Sequence, residues 1–189
     1  MRRLFVMTAP VVFAAVIFGF APALADPRGN TAESKSDATQ ARPGPAKSQT
    51  TSAFDRLKLL VGEWQGKTEN GRPARLSYAL ISGGTCVQET LSHGDTDMVT
   101  IYCPDGDRLM MTHYCADNNQ PRMRAEPVAG EAREIVFSFV DATNLSGPSA
   151  GHMHRLVLTF PDASHLTQVW TYRRGDTDQK EVFHFERKG

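Results

Sequence analysis

Ten stretches in which apolar and polar residues alternate follow one another between residues 63 and 187. They lie near 63–68, 74–81, 85–92, 98–103, 108–115, 122–126, 134–140, 152–160, 166–173 and 181–187. Successive side chains on a strand point to opposite faces, so a period of two marks a strand with one buried face. The breaks read "NGRP", "SGG", "HGDTD", "PDGD", "DNNQP", "AGEA", "NLSGPSAG", "FPDAS" and "RRGDTD". Their Gly, Pro, Asn and Asp supply the backbone angles that turns require. Most breaks are too short for a crossover, so neighbouring strands should pair as antiparallel hairpins. A meander of that length removes its exposed edges by closing on itself. The expected fold is all-β: a single closed antiparallel meander barrel of about ten strands.

One helix precedes it. In "SAFDRLKLLVGEW", Ser52 is the expected N-cap, with Asp55 three residues on, and Gly62 the expected stop. Phe54, Leu57, Leu60 and Val61 share a face, which should cap one end of the barrel. On the strands, the more apolar face carries Leu76, Tyr78 and Leu80, then Val87 and Leu91, Met98 and Tyr102, Leu109 and Met111. Ile135, Phe137 and Phe139 continue it, with Leu156, Leu158, Phe160, Leu166, Trp170, Tyr172, Phe183 and Phe185. A two-residue turn at Asp105-Gly106 would set Tyr102 opposite Leu109 and Met98 opposite His113, in phase with that face.

The ends of the chain have a different composition. Arg2 and Arg3, the apolar run 4–20 and the small-x-small ending Ala23-Leu24-Ala25 make residues 1–25 an expected signal peptide, cut after Ala25. "RRLF" also fits a twin-arginine signal. The expected location is periplasmic or secreted, with no stable membrane insertion after cleavage. Residues 26–51 are rich in Ser, Thr, Ala, Pro and Gly without periodicity and read as a disordered linker. Residues 52–189 are then the barrel domain. Without Arg2 and Arg3, 19 basic residues stand against 21 acidic ones. No basic tract interleaves with aromatic residues, so nucleic acid is not an expected partner.

A helix running into "VGEWQG" at the head of a ten-strand meander resembles the calycins, the lipocalin and fatty-acid-binding-protein group. That resemblance implies that Trp64, in Gly62-Glu63-Trp64, plugs the closed end of the barrel. "FDRLKLLVGEWQGK" together with "MTHYCADNNQPRM" is similar to bacterial exported lipocalin-like proteins of unknown function. More distantly the chain resembles the nitrobindins, which implies haem on a C-terminal histidine, with His184 nearest the position.

Continuing the alternation places Glu89, Thr100, His113, Cys115, His152, His154 and Gln168 inward. Buried polar groups need partners, so several together suggest a cavity holding water or a ligand. The expected ligand-binding set is Glu89, His113, His154, Gln168, Trp170, Tyr172, Phe137 and Phe139, for a small, largely apolar molecule with one polar head. The expected function is therefore non-enzymatic binding, without a cofactor. The plainer reading makes the histidines locally bonded and Cys115 a small buried hydrophobe. Methionines 98, 110, 111 and 123 then serve as packing.

A metal alternative uses His113, Cys115, His152 and His154, whose nitrogen and sulfur donors suit zinc or copper. An enzymatic alternative uses Glu89 with an inward histidine for acid–base work. No nucleophile elbow, phosphate loop or Cys-x-x-Cys accompanies it. Finally, a two-residue turn at Gly94-Asp95 sets Cys86 opposite Cys103, ready for a disulfide that leaves Cys115 free. A four-residue loop would separate them.

Overall fold

The computed structural model describes residues 49–128 and 131–189. The expected signal peptide, and the expected linker up to residue 48, lie outside the described residues. Helix α1, Gln49–Lys58, starts three residues before Ser52, which is inside the helix rather than at its cap. Ten strands follow: β1 Gly62–Thr68, β2 Pro73–Ile81, β3 Cys86–His93, β4 Thr96–Asp105, β5 Arg108–Tyr114, β6 Gln120–Ala125, β7 Glu134–Thr143, β8 His152–Thr159, β9 His165–Arg174 and β10 Thr177–Arg187. Each pairs antiparallel with the next, and β1 closes onto β10. The expected barrel is the observed one.

The seam between β1 and β10 depends on Gly66, which opposes Phe185. A Cβ there would lie 2.2 Å from the His184 carbonyl oxygen, so only glycine lets the two backbones approach closely enough to close the sheet.

Three hairpins use the same two residues. Gly94-Asp95, Gly106-Asp107 and Gly175-Asp176 join β3–β4, β4–β5 and β9–β10, each with its glycine at positive φ. Glycine at the first central position suits the right-handed strand twist. The second hairpin departs from the expected Asp105-Gly106 turn: Asp105 faces Arg108, and Tyr102 faces Met111 rather than Leu109. A slip of two leaves every side chain on its own face, so alternation could not have detected it. The first hairpin is the two-residue form, with His93 facing Thr96. Cys86 and Cys103 are accordingly disulfide-bonded, with Cα atoms 4.5 Å apart, and Cys115 is free.

Most of the expected inner face is the core, with Val87, Tyr102, Leu109, Met111, Ile135 and Leu158 fully buried. Two residues expected to be buried are exposed. Leu80 stands at the rim just before the Ser82-Gly83-Gly84 turn, and Val61 lies past the helix end. At the closed end, Trp64 donates its indole N–H to the Leu60 carbonyl at 2.8 Å. The Arg187 guanidinium lies 4.2 Å from the Trp64 ring centre and donates to the carbonyls of Val61 and Leu59. The last carbonyls after α1 are thus satisfied by side chains of the barrel.

Candidate functional site

Cross-strand pairing sets four polar residues in one inward row: Tyr78 opposite Glu89, Glu89 opposite Thr100, and Thr100 opposite His113. Gln168 on β9 meets them from across the interior. Trp170 Nε1 donates to Gln168 Oε1 at 2.9 Å. An indole nitrogen only donates, so this contact fixes the amide and aims Gln168 Nε2 at Tyr78 Oη and Glu89 Oε2, both at 2.9 Å. Tyr78 and Tyr102 also donate to Glu89 Oε2, at 2.6 and 2.9 Å. Three donors, from Tyr78, Tyr102 and Gln168, thus converge on one carboxylate oxygen. The other, Oε1, is buried without a partner, as is His113 Nε2. Thr100 Oγ1 and His113 Nδ1 are 2.9 Å apart.

Burial raises the Glu89 pKa, although its hydrogen bonds pull it back. It also drives both tyrosine hydroxyls well above the usual phenol value, helped by the Glu89 charge. Burial lowers His113 from 6.5 to about 4. The folded protein therefore keeps His113 neutral where the unfolded chain would charge it. The stability this confers is present above pH 6.5 and is lost as pH falls towards 4. We expect that loss to be about 3 kcal/mol. Denaturant unfolding at pH 7 and pH 4 checks it: His113→Phe should lose that much less than the wild type, and equal losses would acquit His113.

Above this belt the barrel opens into a cavity of about 460 Å³. Its apolar wall is Met98, Met153, Trp170, Tyr172 and Val182, with Cys115 and Thr68 beside them. Val99–Tyr114 is the last pair between β4 and β5, which puts Met98 and Cys115 side by side at the mouth. Burial raises the Cys115 thiol pKa, which disfavours its thiolate form. Charged residues, among them Glu69, Asp117, Arg174 and Lys180, ring the opening.

Of the residues expected to bind a ligand, Trp170 and Tyr172 line this cavity. Glu89, His113 and Gln168 lie in the belt, where His113 packs against Trp170 with ring centres 4.7 Å apart. Phe137 is core, against Tyr102. His154 is displaced by a bulge. Between Met153 and Arg155 the register shifts by one residue, so Met153 faces Tyr172 and takes the inward place at the mouth. His152 and His154 instead gather on Phe139, with ring centres 4.4 and 5.3 Å from it.

These histidines form a directional chain. Arg173 Nη1 donates to His154 Nε2 at 2.7 Å, so the His154 proton is on Nδ1, 3.3 Å from His152 Nε2. His152 Nδ1 then donates to the Ala150 carbonyl at 2.9 Å. Burial, with the Arg173 charge, lowers the His154 pKa accordingly. Their lone pairs are engaged, and the structure does not bring the expected metal set together: His113 and Cys115 belong to the interior, His152 and His154 to this chain. Among the described residues no three His, Cys, Asp or Glu side chains converge to hold a metal. His184, the nearest counterpart of a haem ligand, is exposed and contacts Thr167.

No protein-family model matches the chain, and no curated protein matches it. It is similar to the crystal structure of a protein of unknown function from the DUF3598 family of Nostoc punctiforme, at 11% identity and a TM-score of 0.40. The match covers 70% of this chain and 49% of that one, so the chain spans about half the length of that protein.

Proposed function

We propose that this barrel is an exported, calycin-like binding protein that holds a small, largely apolar molecule at its mouth, against Trp170. The observation that carries this is the cavity of about 460 Å³, walled by two methionines and two aromatic rings above a buried polar belt. That volume and lining are those of a small-molecule site. The belt is a floor rather than catalytic machinery. Glu89 Oε2 already accepts three donors, and neither Glu89 nor His113 lines the cavity. In this reading Gln168 and His113 act on Trp170 from below rather than on the ligand directly, with Glu89 holding Gln168.

N-phenyl-1-naphthylamine, a neutral apolar fluorophore, tests the reading. One molecule per chain should bind, with enhanced emission. Met153→Trp, which fills the mouth, should weaken binding at least about tenfold, or ~1.4 kcal/mol, with its denaturant midpoint unchanged. Undiminished binding in that variant would remove the mouth as the site.

A further inference from the structure

A second cavity, of about 500 Å³, lies between the turn that follows β5 and the loop from Asn144 to Gly151. It shares Asp117, Tyr172 and Arg174 with the mouth cavity, so one wall of side chains serves both. Tyr172 Oη donates to Asp117 Oδ2 at 2.6 Å, and Arg174 Nη2 donates to Tyr172 Oη at 2.9 Å. Gly151 makes room for this arrangement, since a Cβ there would lie 1.7 Å from Tyr172 Oη. Unlike the mouth, the second cavity carries Asn118, Asn119, Asn144, Ser146 and Ser149 on its wall. Asn119 is 3% exposed; its Nδ2 donates to the Gly151 carbonyl at 2.9 Å, while its buried Oδ1 has no partner. Leaving a buried acceptor unpaired is costly, and a hydrogen-bond donor reaching Asn119 from the cleft would relieve that cost.

We infer that the cleft seats the polar end of the same ligand, and that this end is a neutral polyhydroxylated group of the sugar kind, with the apolar end in the mouth. The inference rests on the mouth reading above. An ionised carboxylate or phosphate head has no donor for Asn119 Oδ1, and what it gained at Arg174 it would lose at Asp117. A hydroxyl both donates and accepts, so adjacent hydroxyls can satisfy Asn119, Asp117 and Arg174 together.

Displacement of N-phenyl-1-naphthylamine from the whole protein by hexyl β-D-glucoside, 1-hexanol and hexanoate tests it. Hexyl glucoside should bind about tenfold more tightly than hexanol or hexanoate, as one or two well-made hydrogen bonds provide. Asn119→Ala should bring it down to the hexanol level while leaving hexanol unchanged. Ser146→Trp, which blocks the cleft from an exposed position, should do the same and serves if Asn119→Ala fails to fold. A glucoside no better than hexanol, or hexanoate binding best, overturns the sugar-like head while leaving the mouth site intact. Failure of the fluorophore and hexanol alike to bind overturns both readings.

Discussion

Trp64→Ala is expected to cost about 3–5 kcal/mol of unfolding free energy. The side chain is 1% exposed and joins three elements: its ring packs in the core, its N–H holds the Leu60 carbonyl, and Arg187 covers its face. Truncation leaves a cavity larger than a leucine-to-alanine change would, and it frees a carbonyl at the helix end. It also removes the surface on which Arg187 lies while bonding Leu59 and Val61. The loss should therefore reach the docking of α1 as well as the barrel. Trp64→Phe, which keeps most of the volume and loses only the hydrogen bond, should cost less. Urea unfolding of the two variants beside the wild type decides this, with stability read from the midpoint at constant slope. A wild-type curve for Trp64→Ala would mean that the closed end is held by something other than this plug.

The ten strands were legible because each buries one face against a single interior, so the period of two persists from β1 to β10. The capping helix was legible through its apolar face, with its start displaced to Gln49. Alternation has two blind spots, and both matter here. It cannot separate registers that differ by two, which is why the β4–β5 turn is one residue further along than expected. It also cannot see an inserted residue. The bulge at His154 reverses the parity of β8, so "HMH" presents its methionine rather than its histidines to the mouth. The metal alternative assumed that parity for His152 and His154. Trp170 and Tyr172 could be found as site residues because they follow unbroken alternation along β9. Met153, Asn119 and Arg174 could not, since a bulge, a turn and a strand end place them. The inward polar row was visible residue by residue. That its donors converge on one oxygen was not, because Gln168 reaches it across the barrel from a strand 79 residues away.

That convergence sets up the other large effect. Glu89→Ala is expected to destabilise the protein by about 3–5 kcal/mol, the lower part of the range for three buried donors left unpaired at about 1–3 kcal/mol each. It leaves the hydroxyls of Tyr78 and Tyr102 and an amide N–H of Gln168 without their acceptor, where water cannot replace it. Glu89→Gln retains an oxygen for those donors and should cost far less. The comparison with pH separates the role of charge from that of shape. Burial raises the folded pKa of Glu89 from its ordinary value, so folding favours its neutral form. The stability this group contributes is then fully present below the unfolded pKa and is lost as pH rises through the folded one. Glutamine has no such dependence. The deficit of Glu89→Gln relative to wild type should therefore be largest at acid pH and shrink, or reverse, towards neutrality. Denaturant unfolding of both proteins between pH 4 and 8 measures it. Curves that run parallel across that range would mean that the three donors cancel the effect of burial and leave Glu89 titrating as it does in the unfolded chain.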